Sequence, residues 1–170
     1  MSSTEPRWWR KRFGNRSFND ALGRSQNHTA PYDKPFTKRN RQMTHTIHIL
    51  LVDDDPAENL IMRGLMKKVS SVEIHLHYCQ TIDAAFDFIA SGTPVSMVLM
   101  DNRLQQCDFR ETVPALRQQG YIGPIGVISS SLADPYFQKF EEYGADFRID
   151  KGELDPTAIE FILREYVTRA

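Results

Sequence analysis

Two short apolar runs constrain the fold of this chain more than anything else in it. Ile49-Leu50-Leu51-Val52 and Met97-Val98-Leu99-Met100 are each stopped by an aspartate, at Asp53 and Asp101. Uninterrupted runs of this length suit strands buried on both faces, which occur in parallel sheets covered by helices. Helical signals follow them. Asp55-Pro56, Asp134-Pro135 and Asp155-Pro156 each set an N-cap acceptor before a proline whose φ suits the first helical position. Thr81, with Asp83 in the next turn, serves as a fourth cap at the positive end of a helix dipole. Gly92, Gly120 and Gly144 each follow a periodic segment and suit the left-handed position that closes a helix. These signals predict helices near residues 56–70, 81–91, 113–119, 135–143 and 156–168. Pro114 is expected in the first turn of the third, which makes that helix short.

Five strands fall between these helices, over residues 47–53, 72–78, 95–101, 124–129 and 146–150. The second alternates Val72, Ile74, Leu76 and Tyr78 with Glu73, His75 and His77. The fifth alternates Phe147 and Ile149 with Asp146, Arg148 and Asp150. Alternation marks strands at the edges of a sheet, while the continuous runs mark its centre. A five-stranded parallel sheet of order 2-1-3-4-5 satisfies both patterns, which makes the expected fold a doubly wound, flavodoxin-like α/β domain with five helices.

The charge of the chain is divided. Residues 1–46 hold ten Lys and Arg against Glu5, Asp20 and Asp33, a net charge of +7, which leaves −8 for the remainder of a chain whose total is −1. Residues 1–46 also lack helical or strand periodicity and contain Pro31 and Pro35, so they read as a basic, mostly disordered N-terminal extension to a domain over 47–170. A chain starting at Met43 would keep every predicted element. No apolar run approaches the roughly 20 residues of a membrane-spanning helix. Trp8 and Trp9 sit among arginines, with no apolar segment of a secretory leader after them. Cys79 and Cys107 make neither a disulfide framework nor a zinc motif. The expected setting is reduced and cytoplasmic.

In an open parallel sheet, sites form beyond the carboxyl ends of the strands, where strand order reverses. Strand one ends at Asp53-Asp54-Asp55, strand three at Asp101, strand four at Ser129-Ser130 and strand five at Lys151. Asp55 is better explained as a helix cap. The other carboxylates converge and repel unless a cation neutralises them. An all-oxygen donor set suits a hard divalent ion, magnesium where phosphate is the remaining ligand. With Lys151 taking further charge from an incoming phosphoryl group, Asp101 is placed to attack phosphorus as a carboxylate nucleophile. Ser129 is placed to hydrogen-bond a phosphoryl oxygen. His45, His48, His75 and His77 have no helical metal-ligand spacing, and the last two are expected to face solvent. There is no phosphate-cradling glycine loop, nucleophile elbow or dinucleotide fingerprint.

The run Ile49 through Pro56, the segment Val98 through Leu104, the strand from Pro124 to Ser131 and the sequence Gly144-Ala145-Asp146 with Lys151 together resemble receiver domains of response regulators, over about residues 47–169. The resemblance implies a phosphoacceptor protein of a two-component phosphorelay, phosphorylated on Asp101 by a histidine kinase or a histidine phosphotransfer protein. It implies Mg2+ held by Asp53, Asp54, Asp101 and the backbone carbonyl of Arg103, with Ser129 and Lys151 as switch and charge-balancing residues. It implies no enzymatic activity beyond Mg2+-dependent self-phosphorylation and autodephosphorylation. With the chain ending after the fifth helix, the expected form is a single-domain regulator that signals by binding a downstream protein. Three positions depart from the family pattern. Gly152 follows Lys151 where proline is usual, Arg148 occupies the usual aromatic switch position, and the loop Gln105-Gln106-Cys107-Asp108-Phe109 lacks the usual Pro and Gly.

Two readings of other classes compete. A haloacid-dehalogenase-type phosphatase also uses a strand-end aspartate with magnesium, but it requires a second aspartate where this chain has Arg103. The basic and aromatic stretch Arg7-Trp8-Trp9-Arg10-Lys11-Arg12-Phe13 suits stacking and phosphate contacts with nucleic acid, or insertion at a membrane surface. In that reading the domain is only a scaffold.

Overall fold

The computed structural model describes residues 46–105 and 107–168. The expected extension over 1–46 lies outside the described residues apart from Thr46, and so do His45 and the arginine-tryptophan stretch. Five parallel strands form one sheet: β1 (Ile47–Val52), β2 (Ile74–Cys79), β3 (Met97–Asp101), β4 (Ile125–Ser129) and β5 (Phe147–Asp150). Their order is β2-β1-β3-β4-β5, the expected doubly wound topology. The helices are α1 (Pro56–Met66), α2 (Ile82–Ala90), α3 (Phe109–Gln118), a 3-10 segment (Pro135–Tyr143) and α4 (Pro156–Tyr166). No helix among the described residues is long and apolar enough to cross a membrane.

The capping chemistry is largely as read from the sequence. The carboxylate of Asp55 accepts from the Ala57 amide at 2.8 Å, that of Asp155 from the Ala158 amide at 2.7 Å, and the Thr81 hydroxyl from the Ala84 amide at 3.1 Å. Gly92, Gly120 and Gly144 take φ of 79°, 89° and 92°, the left-handed region that residues with a Cβ avoid. Two helices differ from expectation. Helix α3 begins at Phe109, and Pro114 lies inside it. The start is set by Asp108, whose carboxylate accepts from the Arg110 amide at 2.9 Å, with Glu111 three residues on in the pattern of a capping box. The segment after Asp134 is 3-10 rather than α, with Lys139 out of helical conformation. Asp134 makes no cap bond there; its carboxylate accepts from the Tyr136 hydroxyl at 2.9 Å instead. A short antiparallel hairpin that the sequence did not foreshadow, Arg103–Leu104 with Cys107–Asp108, follows Asp101.

Period-two alternation divides the sheet residues between two layers. Leu50, Val52, Val98, Met100, Ile125 and Val127 pack in one buried cluster with Ala85 of α2, Phe109, Val113 and Leu116 of α3, and Phe137. The intervening residues Ile49, Leu51, Leu99 and Ile149 turn to the other layer, where α1 and α4 are neighbours and bury Met62, Met66, Ile159 and Phe161. Each such large side chain withdraws enough apolar surface to contribute about 1.5–3 kcal/mol. Arg117 at the end of α3 staples the far end of the sheet. Its guanidinium donates to the carbonyls of Tyr121, Gly123 and Gly144 and to the Asp146 carboxylate, at 2.6–3.0 Å.

Gly126, in β4, has a specific reason to be glycine. A Cβ there would run into the ring of Phe147, which is its neighbour on β5 and packs against Tyr166 at 4.6 Å between ring centroids. Gly126→Ala is expected to destabilise the domain by about 1–3 kcal/mol through overpacking. Urea unfolding would read this as a lower midpoint with unchanged slope.

Candidate functional site

The carboxyl ends of β1 and β3 lie side by side, because Val52 pairs with Met100 in the parallel register. The next residues are therefore carried to one place. Asp53, Asp54 and Asp101 offer carboxylate oxygens that all lie within 4.8 Å of one another. Asp53 is buried, Asp54 exposed and Asp101 intermediate. Lys151, just after β5, reaches across this group. Its ammonium lies 2.9 Å from Asp53 Oδ2, 2.9 Å from Asp101 Oδ1 and 3.6 Å from Glu58 Oε1.

Each carboxylate is aimed by a backbone amide. Asp53 Oδ1 accepts from Asp55 N at 2.9 Å, Asp101 Oδ2 from Arg103 N at 2.9 Å, and Asp54 Oδ2 from Gln105 N at 3.1 Å. Gln105 holds that position at φ 54°, a left-handed conformation uncommon for a residue with a side chain. Behind the site, the Phe109 amide donates to the Asn102 carbonyl at 2.9 Å and the Asn102 amide to the Ile128 carbonyl at 2.8 Å. The loop leaving Asp101 is thereby tied to β4 and to the start of α3.

Burial pushes the Asp101 carboxyl above its ordinary pKa, against hydrogen bonds from Lys151 and the Arg103 amide that favour the carboxylate. Burial acts to lower the Lys151 ammonium. Its hydrogen bonds to Asp101 and Asp53 outweigh that and hold it above the ordinary lysine value. Lys151 thus stays charged at neutral pH, and one ammonium balances more than one carboxylate. A crowded all-oxygen cluster with this residual negative charge fits a hard divalent cation.

The structure brings four of the sequence-derived residues together: Asp53, Asp54, Asp101 and Lys151. Ser129 ends β4 as expected and is buried, but its hydroxyl donates to the Ser131 carbonyl at 2.8 Å and accepts from the Ser131 amide. Arg103 contacts Asp101 through its amide. Arg148 extends its guanidinium over the Phe140 ring, 5.6 Å from the centroid. The Lys151-Gly152 step forms a 3-10 turn whose amide at Gly152 is capped by Asp150 at 2.9 Å. Two contributors escaped the sequence reading. Glu58 had a legible signal, since it stands three residues after the cap Asp55 in a capping-box pattern that puts it at the same end of the sheet. The Gln105 amide had none, because its placement depends on the hairpin.

No family model and no curated protein matches this chain. Solved structures do. The receiver domain of RstA from Klebsiella pneumoniae, in a BeF3-activated state, is 27% identical over 71% of this chain and 97% of that one, with a TM-score of 0.60. The receiver domain of a sensor histidine kinase from Pseudomonas aeruginosa, with magnesium coordinated in its active-site cleft, is 17% identical over 72% and 98%, with a TM-score of 0.60. The signal receiver domain of an HD-domain protein from Pseudomonas fluorescens is 19% identical over 74% and 97%, with a TM-score of 0.63. The fold is that of signal receiver domains. In this chain that fold carries an acidic cluster and a lysine at the carboxyl ends of strands in the order β2-β1-β3-β4-β5.

Proposed function

We propose that the chain accepts a phosphoryl group on Asp101 from the phosphohistidine of a histidine kinase or phosphotransfer protein and signals by binding a further protein, in the cytoplasm. The observation that carries this reading is the placement of one ammonium, Lys151, at 2.9 Å from both Asp53 and Asp101, with Asp54 completing the acidic cluster. In the transfer, an Asp101 carboxylate oxygen forms the new O–P bond while the P–N bond to the donor imidazole breaks, its electron pair leaving with the imidazole. Lys151, already in contact with Asp101, exchanges part of its carboxylate contact for a phosphoryl oxygen. Ser129 then turns from Ser131 to donate to another phosphoryl oxygen, as a new dianion recruits nearby donors. Mg2+ would be held by Asp53, Asp54, Asp101 and the Arg103 carbonyl, where it supplies charge neutralisation for the transferring group. The buried Asp53 and the upward push on Asp101 support a need for that second positive charge.

The test uses acetyl phosphate as a small donor to the full chain. Labelling is expected with Mg2+ and not with EDTA, and the label is expected to be acid-stable and base-labile. Asp54→Ala removes an exposed ligand and leaves the buried residues in place. It should weaken Mg2+ binding by about tenfold or more, ~1.4 kcal/mol, and slow labelling without lowering the melting temperature. Calorimetric titration with Mg2+ and thermal unfolding measure the two. Labelling that is indifferent to EDTA would defeat the metal assignment.

A further inference from the structure

Three histidines meet on β1 and β2, with His48 five residues along β1 from Asp53 and so about 16 Å away at ~3.3 Å per residue, and His77 level with Leu50. The parallel register pairs His48 with His75 and Leu50 with His77, and alternation puts His75 and His77 on one face of the edge strand β2. The rings of His48 and His77 lie edge to edge in nearly one plane, with centroids 5.3 Å apart and planes 9° from parallel, and the His48 and His75 centroids are also 5.3 Å apart. His48 Nδ1 and His77 Nε2 face each other at 3.0 Å. His75 turns its Nε2 toward Glu73, at 3.5 Å.

The supports of these rings are built in. The backbone of His48 is held on both sides by Ser96, whose amide donates to the His48 carbonyl at 2.7 Å while its hydroxyl accepts from the His48 amide at 3.2 Å. Phe88 of α2 packs against the His77 ring at 4.7 Å. Glu73 also accepts from the Thr46 hydroxyl at 3.5 Å, which aims its carboxylate along the strand toward His75. A carboxylate on one ring nitrogen of a histidine is the usual outer partner of an imidazole whose other nitrogen binds a metal.

Two imidazoles on one tetrahedral zinc, with Zn–N bonds of about 2.0–2.1 Å, have their nitrogens ~3.3–3.4 Å apart. His48 Nδ1 and His77 Nε2 lie within a few tenths of an ångström of that spacing, and both rings must also swing so that their lone pairs, which now point at each other, converge on the ion. A shared proton accounts for their contact but assigns nothing to a third ring and its carboxylate partner beside them. Imidazole nitrogens suit zinc, copper and nickel, whereas the carboxylate cluster at the other end of the strands suits magnesium.

We propose that His48, His75 and His77 form a second metal site of this domain, taking zinc or a similar transition-metal cation through His48 Nδ1 and His77 Nε2, with His75 swinging in as the third ligand and Glu73 as its outer partner. Arg63 bears on His77 electrostatically and opposes a cation there, while Glu73 offsets it, so the affinity is that of a surface site rather than of a closed structural one. A bound ion would tie the edge strand β2 to β1, and β1 leads directly to Asp53 and Asp54. Metal occupancy therefore stabilises the folded domain by linkage.

Calorimetric titration of the full chain with zinc chloride tests this, with magnesium in saturating excess to occupy the carboxylate cluster. One equivalent is expected to bind and to raise the melting temperature. His48→Gln, His75→Gln and His77→Gln should each weaken binding by about tenfold or more, while phosphoryl labelling from acetyl phosphate stays at the wild-type level. Cobalt(II) gives a second readout independent of folding stability, since a visible absorption band from a tetrahedral site is expected in the wild type and should vanish in His77→Gln. Absence of zinc binding under saturating magnesium overturns the proposal, and so does wild-type affinity in the His75 and His77 variants. Neither result bears on Asp101.

Discussion

Asp101→Asn is expected to abolish phosphorylation of the full chain while leaving it folded. The amide has the shape of the carboxylate but not its nucleophilic charge, so no acyl phosphate forms. The surroundings tolerate the change. The carbonyl oxygen of the new amide can still accept from the Arg103 amide, now at 2.9 Å from Asp101 Oδ2. Lys151 keeps its 2.9 Å contact to Asp53 and the 3.6 Å contact to Glu58. Burial already penalises the Asp101 charge, and removing a charge from a repelling cluster costs little stability. Thermal unfolding should therefore show no loss, while mass spectrometry after acetyl phosphate treatment shows no added phosphoryl mass on the peptide carrying position 101. Labelling of that same peptide at the wild-type rate would sink the assignment of the nucleophile.

Phe109→Ala is expected to cause the largest loss of stability of any substitution considered. Phe109 is fully buried, stacked on Phe137 at 5.3 Å, edge-on to Tyr143 at 5.6 Å and tilted against Tyr136 at 5.7 Å. Truncation removes the ring and leaves a cavity that the sheet on one side and the 3-10 segment on the other cannot fill, a cost of about 3–5 kcal/mol. That corresponds to a fall in melting temperature on the order of 10–20 °C. Phe109→Leu keeps most of the volume and should lose far less. Because the Phe109 amide ties the loop after Asp101, the alanine variant should also label more slowly at temperatures below its transition. An alanine variant as stable as Phe109→Leu would show that the ring is not packed as described.

How much of this was legible beforehand depends on how local each cause is. Asp55, Thr81 and Asp155 cap the helices they were expected to cap, because a cap is decided within three residues. Gly92, Gly120 and Gly144 take the left-handed conformation for the same reason. Asp134 carried an identical signal, yet its carboxylate went to the Tyr136 hydroxyl, and the segment that follows became 3-10. A nearby side-chain donor competed with the backbone and won. The start of α3 was misplaced because Pro114 drew the boundary. The cap at Asp108 and the burial of Phe109 outweigh a proline inside the helix.

By itself, the sequence determined the alternation of strands and helices, the edge and centre strands, and the residues Asp53, Asp54, Asp101 and Lys151 at the strand ends, because periodicity and position along a strand are local properties. Only the tertiary structure decided what those residues meet. Lys151 reaches Asp53 across 98 positions of sequence, and Glu58 joins them because α1 starts at the same end of the sheet. Ser129 turns to Ser131 because a backbone carbonyl lies within reach of its hydroxyl. The three histidines are spaced for no helix, and nothing in their order along the chain announces a cluster. They meet because the β1–β2 register sets His48 beside His75 and turns His77 to the same face, and register is fixed by burial of whole strands rather than by any residue alone.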